Sequence, residues 1–125
     1  MTKKIAIVED DQAIVEMYRI KFEAEGFEVE TAENGKLGLE LIEKFKPDLV
    51  LLDLMMPEMT GTEMLAKLRK TVRNKDIKIV IMTNVSKDEI TPPVDQLNVD
   101  GFIVKAHYTP HEVVATVIRI LTMKK

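Results

Sequence analysis

The sequence predicts a doubly wound α/β domain built on a parallel sheet, and three observations carry that expectation. Short unbroken apolar runs recur along the chain, segments with helical apolar spacing lie between them, and 125 residues suit a single domain spanning 1–125. Runs that are apolar at consecutive residues belong to strands buried on both faces, the situation in parallel sheets covered by helices.

The first run, Ile5 to Val8, precedes Ile14, Met17, Tyr18 and Phe22 at helical spacing, and Gly26 supplies a stop signal. A weaker alternating stretch from Phe27 to Thr31 reads as the second strand, followed by a helical face of Leu37, Leu41, Ile42 and Phe45 that Pro47 ends. Leu49 to Leu52 is the third strand, with Met64, Leu65, Leu68 and Val72 as the third helical face, and Ile79 to Met82 is the fourth strand. Between Ser86 and Val99, Pro92 and Pro93 remove two amide donors, so the fourth helix is short or broken. Either Thr91 caps a short helix beginning at Pro92, or the crossover is irregular. Phe102 to Val104 is the fifth strand. The last helix carries Val113, Val114, Val117, Ile118 and Leu121, and its start is marked three times: Thr109 as N-cap, Pro110 at the first helical position, and Glu112 as the capping-box acid. The count is five strands and about five helices in strict alternation, joined by right-handed crossovers.

Composition narrows the function. The net charge is −3 and Lys3, Lys4, Lys124 and Lys125 sit at the ends, so direct nucleic-acid binding is not expected. The chain has no cysteine, and its first strand begins just after Met1 without a signal-peptide pattern, which makes a cytoplasmic protein the expectation. No apolar run approaches the roughly 18 residues of a membrane span, so no membrane partner is expected either.

Ligands of such sheets bind beyond the carboxyl ends of the strands, so the residue leaving each strand matters. The first run exits into Glu9, Asp10 and Asp11, the third into Asp53, the fourth into Thr83 and the fifth into Lys105. Two like charges about 4 Å apart cost roughly 4 kcal/mol at an effective dielectric near 20, so a cation belongs among these carboxylates. Oxygen donors in a partly open site suit Mg²⁺, which takes one or two carboxylates, keeps several waters and accepts a phosphate oxygen. Mn²⁺ fits the same donors, and Lys105 supplies a second positive charge. The set points to phosphoryl transfer onto a carboxylate, with Asp53 as the nucleophile. Each residue also has a plainer role: Asp11 as a helix cap, Asp53 as a turn former, Thr83 and Lys105 as polar strand ends, and His107 and His111 as surface residues. The side chains of Met55, Met56, Met59 and Met64 read as packing. Joint placement at the strand exits is what favours chemistry.

The motifs IAIVEDD, DLVLLDLMMPEMTG, IVIMTN and GFIVK, taken together and in this order, resemble the receiver domain of two-component response regulators from the first strand to the last helix. The resemblance implies a flavodoxin-like fold with strand order 2-1-3-4-5 and an aspartate phosphorylated by a histidine kinase or phosphotransfer protein. Carried over by position, Glu9 and Asp10 are the metal-site acids, Asp53 the phospho-acceptor, and Met55 the residue lending a backbone carbonyl to the metal. Thr83 corresponds to the switch hydroxyl, Lys105 to the phosphate-pairing lysine and Phe102 to the switch aromatic, while Pro57 and Gly61 match the loop that shapes the site. Asn84 stands where the family favours a small residue and puts a donor beside the phosphoryl site; Ala106 stands where it usually has proline. The implied protein is a regulatory receiver, stand-alone unless excised from a longer protein, that catalyses its own phosphorylation and dephosphorylation, acts on a downstream protein target, and has a phosphorylation-dependent dimer open to it. The alternatives are a receiver-like docking module that does not use phosphate and, behind it, a Mg²⁺-dependent phosphotransferase. Met55 occupies the position two residues after Asp53 where the latter would need a second acid, and the acids after the first strand would repel the phosphate of a flavin nucleotide.

Overall fold

The computed structural model describes residues 2–55, 60–70, 76–84 and 98–123. In chain order these form β1 (Lys4–Val8), α1 (Gln12–Ala24), β2 (Glu28–Ala32), α2 (Gly35–Phe45), β3 (Leu49–Leu52), α3 (Gly61–Arg69), β4 (Lys78–Thr83), β5 (Gly101–Val104), a 3-10 turn (Lys105–His107) and α4 (Pro110–Thr122). The strands make one parallel sheet in the order β2-β1-β3-β4-β5, the flavodoxin-like doubly wound order. Pro57, Val72, Thr91, Pro92 and Pro93 lie outside the described residues, and so does the short or broken helix expected between Ser86 and Val99, apart from Asn98 and Val99.

Side chains alternate across the sheet with a period of two, and because both faces are covered, both sets are apolar. Ile5, Ile7, Leu49, Leu51, Val80, Met82 and Ile103 pack with Val15, Tyr18 and Phe22 of α1 and with Val113 and Val117 of α4. Ala6, Val8, Val50, Leu52, Ile79 and Ile81 pack on the opposite face with Ile42 of α2 and with Met64, Leu65 and Leu68 of α3. These two layers are why consecutive apolar residues appear in β1, β3 and β4.

The helices start where the sequence offers a cap. Asp11 Oδ1 accepts from the N–H groups of Ala13 and Ile14 at 3.0 and 3.2 Å, and Asn34 Oδ1 accepts from Leu37 N–H at 2.8 Å. Thr60 with Glu63, and Thr109 with Glu112, form reciprocal capping boxes on α3 and α4. Gly26 follows α1 with φ +93°, a conformation that favours glycine. After α2, however, the left-handed position is taken by Lys46 (φ 52°), with Pro47 behind it.

Strand ends differ from the apolar runs by a residue or so. β1 begins at Lys4, β4 runs from Lys78 through Thr83, β5 begins at Gly101, and β2 covers Glu28–Ala32 where Phe27 to Thr31 was expected. Ladder bonds are made by the backbone, so pairing continues through polar residues that end an apolar run. Leu37, placed by its spacing on the helix face toward the core, is 40% exposed, because it lines an open cavity with Val15 of α1 and Thr31 and Ala32 of β2. Among the described residues, no helix is long and apolar enough to cross a membrane.

Candidate functional site

All five strands run the same way, so their carboxyl ends share one edge of the sheet, and the strand order reverses between β1 and β3. The exits of these two central strands carry the acids. Glu9 follows β1 and is 1% exposed, Asp53 follows β3 and is also buried, and Asp10 beside Glu9 is exposed. One carboxylate oxygen of each of Glu9, Asp10 and Asp53 lies within 4.8 Å of the others, an acidic pocket able to hold a metal ion. An all-oxygen donor set with one open, solvent-facing member fits a hard divalent cation.

Local bonds orient each acid. Glu9 Oε2 accepts from the N–H groups of Asp10 and Asp11 at 3.0 and 3.3 Å, which folds its side chain back over the turn. Asp11 looks away and caps α1, its plainer role. Asp53 Oδ1 accepts from Met55 N–H at 3.2 Å. The Met55 side chain is 63% exposed, so its placement here comes through the main chain and not through packing, against what the methionine cluster suggested. Gly61, at the start of α3, donates its N–H to Leu54 O at 3.0 Å and lies directly against the backbone that carries Asp53.

Lys105 enters from the far side of the sheet, at the exit of β5. Its ammonium donates to Glu9 Oε1 and lies 3.4 Å from Asp53 Oδ2, so one cation bridges the two buried carboxylates. Burial opposes the ammonium, but the hydrogen bond to Glu9 and the nearby carboxylates outweigh it and raise the Lys105 pKa. Ala106 in the following 3-10 turn leaves the lysine aimed into the site. Thr83, the last residue of β4, is fully buried, and Asn84 after it is exposed. Phe102 on β5 pairs in register with Ile81 and is half-buried against the α2 and α3 side of the core. His107 and His111 are both exposed.

The Glu9 carboxyl is pushed up from 4.5 to about 7, chiefly by burial and further by Asp53, with Lys105 pulling the other way. Folded protein therefore holds the Glu9 proton across a window in which the unfolded chain has lost it. By linkage, the metal-free protein loses stability from this group as pH rises from about 4.5 to about 7, the reverse of the usual carboxylate. Urea unfolding in a chelator across that window should show Glu9→Gln gaining on the wild type by roughly 1 kcal/mol per pH unit mid-window. A pH-independent difference between the two proteins would mean that Glu9 titrates normally.

Two features of this geometry were not anticipated from the sequence. Lys105 makes its closer contact with Glu9 and not with Asp53, and Met55 donates an N–H to the Asp53 carboxylate, where the expectation concerned its carbonyl. The first has no sequence signal, since it depends on the separation of β5 from β1 across the sheet. A donor N–H two residues after an Asp is the Asx-turn pattern, a signal that was there to use.

Comparison with known proteins agrees with this architecture. The family model for the response regulator receiver domain matches residues 5–118. The alkaline phosphatase synthesis transcriptional regulatory protein PhoP of Bacillus subtilis is 35% identical over 123 residues, 97% of this chain and 49% of that protein. The phosphate regulon transcriptional regulatory protein PhoB of Rhizobium meliloti is 33% identical over 125 residues, 100% of this chain and 55% of that protein. The chain thus spans about half the length of these curated relatives. Among solved structures, the chemotaxis protein CheY4 of Vibrio cholerae superposes with a TM-score of 0.87 at 28% identity, covering 96% of this chain and 99% of that one. A CheY-like receiver domain protein from Methanospirillum hungatei gives 0.86 at 31% identity, covering 97% and 94%.

Proposed function

The chain belongs to the response regulator receiver domain family, the phosphorylation-dependent switches of two-component signalling, and on that premise we propose that Asp53 accepts a phosphoryl group from the phosphohistidine of a histidine kinase or phosphotransfer protein. The observation that carries this reading is the buried Asp53 carboxylate, held beside two further acids and bridged by one lysine at the strand exits.

In the transfer, an Asp53 carboxylate oxygen bonds to phosphorus as the P–N bond of the donor breaks, and the freed imidazole takes the electron pair. Glu9, Asp10, Asp53 and the Met55 carbonyl would hold Mg²⁺, or Mn²⁺ in its place, and the ion would neutralise phosphoryl oxygens. Met55 N–H orients Asp53, and the Lys105 ammonium, already 3.4 Å from it, pairs with the incoming charge. Thr83 lies in the adjacent strand with a hydroxyl that can follow a phosphoryl oxygen, and Phe102 is the half-buried aromatic that repacks behind it. Asn84 offers an exposed amide donor at the rim. Attack of water on the phosphorus of the aspartyl phosphate in the same site breaks its bond to the Asp53 oxygen, releasing inorganic phosphate and returning the carboxylate. The altered face then meets a downstream protein.

Intact mass after incubation with Mg²⁺ and acetyl phosphate should show one phosphoryl adduct, lost on chelation. No adduct from either acetyl phosphate or phosphorylated kinases would overturn the reading and favour a docking module that does not use phosphate. Lys105→Arg keeps the charge but replaces a compact ammonium with a planar fork too wide for the space between Glu9 and Asp53. It should still label, while phosphorylation-dependent amide shifts at Thr83 and Phe102 fall to a small fraction of wild type. Full shifts in that variant would remove Lys105 from the switch.

A further inference from the structure

β2 is an outer strand of the sheet, bonded to β1 on one side. The bonds at the two ends of that ladder, Glu28 N–H to Lys3 O and Glu9 N–H to Ala32 O, both 3.0 Å, set its phase. Alternate residues of a parallel strand bond to one neighbour, so Glu28, Glu30 and Ala32 turn their main-chain groups to β1, and Val29 and Thr31 turn theirs outward. Among the described residues, no strand pairs with that outer edge.

Beside the carboxyl-terminal half of the edge, between α1 and α2, lies a cavity of about 410 Å³. Val15, Leu37 and Leu41 give it apolar walls, and Glu33, Glu40 and Lys44 form its rim. This is where the exposed Leu37 finds a use. The surrounding charge is mainly negative: Glu28, Glu30, Glu33 and Glu40 are all exposed. Of the nearby cations, Arg19 is engaged by Glu16 at 3.8 Å and by Thr31 Oγ1 at 3.2 Å, and Lys4, opposite Glu28 on β1, donates to Phe45 O at 3.2 Å, so that Lys3, Lys36 and Lys44 are the exposed counter-charges. Like-charged edges discourage two copies of a chain from pairing, whereas they attract a strand of the opposite sign.

We propose that the outer edge of β2 binds an extended, basic segment of a partner protein. The segment adds as a sixth strand through main-chain bonds to Val29 and Thr31, sets one apolar side chain in the cavity between α1 and α2, and directs its Lys or Arg side chains at Glu28, Glu30, Glu33 and Glu40. The edge uses none of the side chains of the acidic pocket, although its carboxyl-terminal end adjoins the exit of β1, where Ala32 O accepts from Glu9 N–H.

The probe is a labelled peptide, acetyl-Lys-Val-Lys-Leu-Lys-Val-Lys-amide, with two controls: the same peptide N-methylated at alternate amides, and one with Glu for every Lys. Fluorescence anisotropy should show saturable binding of the first peptide alone, and amide exchange should slow at Val29 and Thr31. The double variant Glu28→Lys with Glu30→Lys should weaken binding about tenfold while labelling normally with acetyl phosphate, since both residues are exposed and outside the acidic pocket. Four outcomes overturn the proposal: no saturable binding, equal binding of the N-methylated peptide, exchange protection elsewhere, or self-association through β2 without peptide, which would make the occupant a second copy.

Discussion

On the proposed reading, Asp53→Asn should abolish the Mg²⁺-dependent phosphoryl adduct, reducing labelling from one group per chain to none that intact mass detects. An amide oxygen is a far poorer nucleophile than a carboxylate and cannot give a stable acyl phosphate, and among the described residues the other acids of the pocket are poorly placed to substitute. Glu9 is held back by two main-chain N–H groups and Lys105, and Asp10 is exposed at the rim. Loss of labelling by unfolding is a separate matter that the same geometry addresses. Asn keeps the shape of the side chain and an oxygen for Met55 N–H, and it removes one negative charge from a cluster in which three acids face one lysine. In the absence of metal the variant should therefore be as stable as the wild type or more so, by about 0.5–1 kcal/mol in urea unfolding. Retained labelling, located by peptide mapping at another residue, would reassign the acceptor.

Among the described glycines, Gly61→Ala should be the most damaging substitution. A Cβ at Gly61 would stand 2.4 Å from the carbonyl oxygen of Asp53, 2.7 Å from Leu54 Cα and 3.0 Å from the Asp53 carbonyl carbon. All three are backbone atoms, which cannot rotate aside. Glycine is required there by close approach and not by an unusual φ, since the positive φ among the described glycines is at Gly26. Relief needs α3 to move off the exit of β3, and overpacking of this kind costs about 1–3 kcal/mol, with the upper end expected here. Because the clash is with the backbone that carries Asp53, phosphoryl uptake should slow as well, on the order of tenfold to a hundredfold for a shift approaching 1 Å. Gly38→Ala is the control. Its Cβ would meet Met64 Sδ and Val8 Cγ1 at 3.0 Å, side-chain and not backbone atoms, of which the flexible Met64 end can give way, so it should cost less and leave uptake near wild type. Equal stability and equal uptake for Gly61→Ala and the wild type would show that the β3–α3 junction is not a fixed support for Asp53.

Much of this molecule is legible without coordinates. Ile5 to Val8, Leu49 to Leu52 and Ile79 to Met82 announce strands covered on both faces, because only a sheet between two helical layers hides both sets of alternate side chains. The order of strands and helices then forces the strand exits to one edge, which is enough to gather Glu9, Asp10, Asp53, Thr83 and Lys105 as a group. Helix starts are equally readable where a side-chain oxygen precedes a free N–H, as at Asp11, Asn34, Thr60 and Thr109. Strand ends are less so, because Lys4, Lys78 and Thr83 pair through backbone groups that carry no side-chain signature.

What local pattern encodes is the element, its cap and the residue at its exit, because those depend on neighbours within a few positions along the chain. The parts settled by distance across the sheet were open until the strands were assembled. That Lys105 reaches Glu9 before Asp53, that burial lifts the Glu9 carboxyl to about 7, and that Gly61 must lack a side chain all follow from atoms far apart in sequence. So does the exposure of Leu37, whose spacing is that of a core residue but which lines an open cavity beside β2, a strand paired on one side. Desolvation, close contact and charge pairing act through space, and a one-dimensional pattern carries them only when the fold has already said which residues are neighbours.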